Sequence, residues 1–157
     1  MVRTVCAVVL SLSVCATAPQ AQTDVCRDAN GNIDQTATQG LQAFRANASA
    51  EAMQPLIGTW YTEIPSPQTG QIAYRYQTLE PSGLFTMQTR VCDNLGLCSD
   101  YAGHGAWAAQ AAAGPGMVTV MSTFSDTQVT NYCWVGQVQV SADMMQTSAG
   151  QSWRRVR

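Results

Sequence analysis

The chain is 157 residues long, with 11% charged residues, no lysine among its eight basic side chains and a formal net charge of −2. That balance builds no field suited to nucleic acid or to an anionic lipid surface. The absence of lysine also excludes Schiff-base chemistry and the phosphate-binding P-loop.

Residues 1–21 carry one positive charge at Arg3, an apolar run from Val5 to Val14, then small residues and Pro19 before Ala21. This is the pattern of a secretory signal peptide, too short to span a bilayer as a mature helix. Cys15 stands where lipid-anchored leaders carry their modified cysteine, but Val14 is bulkier than the small residue such leaders place before it. Removing the leader leaves residues 22–157, the size of one domain, with seven arginines against ten acids and hence a formal charge of −3. No later run is apolar enough to cross a membrane as a helix, so a periplasmic or secreted location is expected.

Cys6 and Cys15 leave with the leader, and Cys26, Cys92, Cys98 and Cys133 remain. An even number of cysteines in an oxidising compartment predicts two disulfides. Of the three pairings, Cys92 with Cys98 is favoured because residues 93–97 can fold back as a loop between strands. Cys26 then pairs with Cys133. The spacing of Cys92 and Cys98 does not fit the Cys-x2-4-Cys of zinc sites, and neither metal nor cofactor is expected.

Residues 22–55 form an N-terminal segment. Arg27 to Asp34 is polar and contains the turn signal Asn30-Gly31-Asn32. Ala37, Leu41, Phe44 and Ala48 then recur at helical spacing, which predicts a short amphipathic helix from about Thr36 to Ala46. Ser49 caps a further turn that stops at Pro55. The helix is expected to brace the outside of the strands that follow, in preference to covering one mouth of a barrel. Asn47-Ala48-Ser49 matches a glycosylation acceptor, which matters only in a eukaryotic secretory pathway.

From Leu56 onward the chain reads as strand and turn. The first strand covers Leu56 to Glu63, and Ile64 to Gly70, with two prolines, reads as a loop. Ile72, Tyr74 and Tyr76 then alternate with Ala73, Arg75 and Gln77, and the apolar set is assigned to the inner face. Glu80-Pro81-Ser82-Gly83 is a turn, after which Phe85, Met87, Thr89 and Val91 alternate with polar residues. A strand over Ala102 to Ala108 contains Gly103 and Gly105, where sharp coiling is possible. Met117 to Phe124, Gln128 to Val135, Gln137 to Val140, Met144 to Thr147 and Ser152 to Val156 complete the series. Eight or nine short strands with short links predict an all-β fold, a small antiparallel up-and-down barrel over residues 56–157 preceded by a short helix.

Gly58-x-Trp60 opens the first strand with a glycine that admits a close neighbour and a large ring on the same face. The pair resembles the first-strand signature of the lipocalins and their calycin relatives. The resemblance implies that Trp60 closes the barrel base beneath an arginine from near the chain end, here Arg154 or Arg155, in a cation–π contact. It also implies a small apolar ligand inside the barrel. Gly-Thr-Trp-Tyr is similar to avidins as well, but Thr62-Glu63 departs from their ligand-binding pattern.

The candidate lining is Tyr74, Tyr76, Phe85, Met87, Trp107, Val118 and Val120. A barrel of about eight strands is wide enough either to fill with such side chains or to hold one small guest. Catalytic readings have little to stand on. His104, the only histidine, has Asp100 nearby in sequence but no Gly-x-Ser-x-Gly elbow, and nothing fixes the separation of Glu63 from Asp93 or Asp100. No enzymatic activity is expected. The second functional reading is inhibition of a secreted hydrolase, since the chain is similar in size and compartment to small disulfide-bonded barrels that inhibit metalloproteases and lysozyme. Thr23 to Asp34 or the loop between Cys92 and Cys98 would then meet the target.

Overall fold

The computed structural model describes residues 25–28, 30, 32, 34–126 and 132–157. The leader, Cys6, Cys15 and part of the Thr23 to Asp34 segment lie outside the described residues, as does the side chain of Ala37.

Eight strands form a closed antiparallel barrel in which each strand pairs with its neighbours in sequence and the last pairs with the first. They are β1 (Gly58–Ser66), β2 (Gln71–Leu79), β3 (Leu84–Cys92), β4 (Cys98–Ala111), β5 (Met117–Ser125), β6 (Tyr132–Val140), β7 (Met144–Thr147) and β8 (Ser152–Arg155). Several boundaries differ from the sequence reading: β4 runs Cys98–Ala111 where Ala102 to Ala108 was expected, and Leu56 belongs to the turn before β1, which begins at Gly58. The two short strands expected on either side of Gly136 are one continuous β6, and residues 128–131 of the first lie outside the described residues.

β1 also runs through Pro65, where a loop was expected, with Pro65 opposite Ile72. A proline cannot donate to a ladder. It is tolerated because β8 pairs with β1 only at Trp60 and Tyr61, so the β8-facing side of Pro65 has no ladder to complete.

The helices follow from local chemistry. α1 (Gln35–Ala46) is followed by α2 (Ala50–Met53), whose N-cap Ser49 accepts from the Ala52 amide. Pro55 then sits inside the single 3-10 turn Gln54–Leu56 that leads into β1. Leu41, with Phe44 and Ala48 beside it, packs on Cys26, Ala108, Met121 and Cys133, on the outer face of β4, β5 and β6. α1 is therefore an outside brace. Gln110 Nε2 donates to the Phe44 carbonyl at 3.0 Å, and the Ser49 amide to the Ala109 carbonyl at 2.9 Å, which fasten the end of the brace to β4.

Both disulfides join the expected partners, Cys26 to Cys133 and Cys92 to Cys98. The first spans 107 residues and ties the N-terminal segment to β6; the second closes the β3–β4 connection between residues directly opposite each other in register.

The principal core lies inside the barrel, with Trp60, Leu79, Phe85, Trp107, Val138, Met145 and Trp153 all buried. Leu56 and Ala52, from the segment that precedes β1, join it and close one end. The indole Nε1 of Trp60 donates to the Leu56 carbonyl at 2.7 Å. Trp107 fastens the β2–β3 turn from inside, its Nε1 donating to the carbonyls of Glu80 and Leu84.

Candidate functional site

The closed end is built around Trp60, which is fully buried. Arg155, directly opposite Trp60 in the β1–β8 register, lays its guanidinium 4.2 Å from the ring centroid. Its three nitrogens donate to three carbonyls: Nη1 to Ile57 at 2.6 Å, Nη2 to Pro55 at 2.6 Å and Nε to Ala142 at 2.8 Å. Gly58, at φ +127°, makes the approach possible, because a Cβ there would stand 2.8 Å from Arg155 Nη1. The chain-end arginine over Trp60 is thus Arg155. Arg154 points to the other face, with its guanidinium over Tyr61 and 3.9 Å from Glu63 Oε1.

Above this base the barrel encloses a cavity of about 660 Å³. Its lower wall is mostly apolar, with Leu56, Leu79, Phe85, Trp107, Val138, Met145 and Trp153 beside the amide of Gln77. Three glycines make room for rings in the wall. A Cβ at Gly103 would overlap the ring of Phe124 and at Gly136 that of Trp134, and at Gly105 it would overlap the Thr123 carbonyl and then the ring of Phe85. Phe85 and Phe124 stack with centroids 6.3 Å apart. The lack of a side chain therefore serves ring space on the inner face at Gly103, and at Gly105 it also admits the close approach of the β5 backbone.

Toward the other end, where the β1–β2, β3–β4 and β5–β6 connections lie, the lining becomes mixed: Gln71, Ala73, Arg75, Val91, Tyr101, Asp126 and Tyr132. This end is the mouth. Arg75 is the one arginine in the lining among the described residues, half-buried, with Nε donating to Thr89 Oγ1 at 3.2 Å. Burial pushes its pKa below the ordinary arginine value, and the facing Asp126 and Tyr132 partly offset that. Arginine stays charged under such a shift.

The sequence-predicted lining divides. Phe85, Met87, Trp107 and Val120 line the cavity. Val118 is buried in the same core without reaching the cavity wall. Tyr74 and Tyr76 are a correction: they sit on the outer face with Tyr61, and Ala73, Arg75 and Gln77 face inward instead. Register decides this. Trp60 lies opposite Gln77 and Leu79 opposite Phe85, so the inward side chains of the neighbouring strands fix the odd-numbered residues of β2 inside. Leu79, at the end of β2 and paired across a short turn with Phe85, was the signal in the sequence that outweighs two tyrosines, whose hydroxyls can remain in water.

On the outer face Tyr61, Tyr74, Tyr76, Gln88, Arg90 and Asp100 border a groove. Tyr61 and Tyr76 are cross-strand neighbours with centroids 4.8 Å apart. The acids weighed for catalysis are each engaged locally. Glu63 accepts from the Tyr61 hydroxyl at 2.7 Å, Asp100 forms a two-pronged pair with Arg90, and Asp93 Oδ1 accepts from the amides of Leu95 and Leu97 within its own loop. The Arg90 hydrogen bonds hold the Asp100 carboxyl below its ordinary range. His104 is exposed on the outer face opposite Thr86.

Two further features bear on the site. Leu95 and Leu97, in the disulfide-closed β3–β4 loop at the mouth, are 80% and 70% exposed. No helix among the described residues is long and apolar enough to cross a membrane. No family model, curated protein or solved structure matches this chain.

Proposed function

We propose that this protein is a lipocalin-like carrier that holds a small apolar molecule in its barrel, in the periplasm or outside the cell. The carrying observation is the cavity of about 660 Å³ between an apolar, aromatic floor and a mixed mouth. Sites for small molecules have volumes of about 300–1,000 Å³ and pair apolar walls with a few polar groups. The arginine-over-tryptophan base supports the lipocalin-like reading, and the two disulfides fit an oxidising compartment. This is a binding role and not an enzymatic one.

Native mass spectrometry of the protein purified from its own secretory compartment, followed by organic extraction, tests the carrier. An adduct that dissociates into a small apolar molecule supports it. A protein that arrives without an adduct, and takes up none of a panel of apolar probes through tryptophan fluorescence, sinks it.

The exposed leucines favour a second reading, an inhibitor of a secreted hydrolase that inserts the β3–β4 loop into its target. Cys92–Cys98 and the Asp93 hydrogen bonds fix that loop in one conformation, which lowers the ordering cost of docking. Failure to slow any co-secreted protease or lysozyme removes this reading.

A further inference from the structure

We infer that the molecule held in the barrel is an amphiphile with an oxyanion head, a carboxylate or a phosphate monoester, that pairs with Arg75 near the mouth while its tail lies on the aromatic floor. The inference rests on the carrier reading and names its ligand class.

A guanidinium offers five N–H donors in a planar fork. Among the described residues the only side-chain hydrogen bond of Arg75 is the one from Nε to Thr89 Oγ1, so the amino groups Nη1 and Nη2 have no acceptor among those residues. A cation in such a position is costly unless paired, and a planar two-oxygen anion matches the open fork. Asp126 and Tyr132 face Arg75 across the mouth, but neither forms a hydrogen bond or ion pair with it. Asp126 works against an incoming anion at longer range, and the direct N–H to oxygen contacts of the fork oppose it at close range.

Position supports the same class. Arg75 lies opposite Thr62 and Thr89 on the neighbouring strands, one inward-facing residue further from the base than Gln77. The floor below it is aromatic and aliphatic, with Phe85, Trp107 and Trp153. A molecule that satisfies both regions is charged at one end and apolar along the rest.

The test compares equal tails with different heads: dodecanoate, dodecyl phosphate and 1-dodecanol, titrated into wild type, Arg75→Met and Arg75→Lys and followed by tryptophan fluorescence. Acetate and inorganic phosphate serve as heads without tails. Wild type is expected to prefer one or both anionic amphiphiles over dodecanol by about tenfold to hundredfold, the range of a charge-assisted contact. Arg75→Met is expected to lose that preference while keeping its dodecanol affinity, which also shows that the cavity remains formed, and Arg75→Lys to retain part of it. Should Arg75→Met not fold, dodecanoate labelled with carbon-13 at its carboxyl gives the answer on wild type, where the bound carboxyl should titrate below the free acid.

Equal binding of all three probes to wild type, or a preference that survives Arg75→Met, overturns the oxyanion head and leaves the carrier standing. Binding of acetate or inorganic phosphate as tightly as the amphiphiles overturns the tail assignment. No binding of any amphiphile overturns both readings together.

Discussion

The Arg155 guanidinium covers the Trp60 ring at 4.2 Å and at the same time donates to the carbonyls of Pro55, Ile57 and Ala142. One side chain thereby ties the last strand, the segment entering β1 and the β6–β7 turn. Replacing it with methionine keeps much of the volume and removes every donor. Arg155→Met is expected to lose about 3 kcal/mol, given the worth of charge-assisted hydrogen bonds and a desolvated cation–π contact. Arg154→Gln, which removes an exposed partner of Glu63, should stay within about 0.5 kcal/mol of wild type. Urea denaturation of the two variants distinguishes them, and equal losses would show that Arg155 does not lock the base.

The two disulfides close loops of very different length, 107 and 6 residues. On the chain-entropy account, removing the Cys26–Cys133 bond by paired alanines costs roughly 4 to 5 kcal/mol and removing Cys92–Cys98 roughly 2 kcal/mol. The long bond also lies in the small core under α1, so its loss should free the brace and raise amide exchange in α1 ahead of the barrel strands. Exchange that rises in β3 and β4 instead would contradict this division.

Much of the fold was readable because its signals are local. The alternation in β3, the Glu80 to Gly83 turn, the helix with Leu41 and Phe44, and the Gly58-Trp60 pair each lie within a few residues. The inward face of β2 was not, because Tyr74 and Tyr76 look like core to a pattern that counts only apolarity, and their true side is fixed by pairing with β1 and β3. Pro65 likewise read as loop until the short β8 showed why a strand tolerates it. Arg75 was missed as a site residue for the same reason as the tyrosines: one reversed face moves a whole set of side chains from wall to solvent. The choice between Arg154 and Arg155 also depended on register across the barrel seam.

Gly103 offers a test of how the cavity wall is packed. A methyl group there would overlap the Phe124 ring and crowd the Ser125 carbonyl. Gly103→Ala is expected to destabilise by about 1 to 3 kcal/mol, the usual cost of overpacking, and to push Phe124 toward the cavity. Thermal melts and competition by an apolar fluorescent probe should move together. A neutral substitution would mean that the ring has space to retreat.

Ala73 is half-buried and lines the upper cavity between Ile64 and Val91 on the adjacent strands. Ala73→Trp should fill that space without touching the Arg155 base. Apolar probe affinity is expected to fall by at least about tenfold, equivalent to about 1.4 kcal/mol, with the fold retained by circular dichroism. Unchanged affinity in a folded variant would place the bound probe elsewhere, with the groove beside Tyr74 and Tyr76 the next position to examine.

Tyr61 supplies a prediction at high pH. Its hydroxyl is pushed up to about 12, first by desolvation and then by donating to the Glu63 carboxylate. The folded protein therefore holds this proton more tightly than the unfolded chain, whose tyrosines titrate at about 10. The stability so contributed is fully present below about pH 10 and is lost as pH rises through about 12. Ultraviolet titration should show a tyrosine step at about pH 12, and Tyr61→Phe should remove it. Urea midpoints should fall between about pH 10 and 12 in wild type, and less steeply in the variant. The absence of any step at about pH 12 in wild type would show that the Glu63 contact on the outer face does not persist in solution.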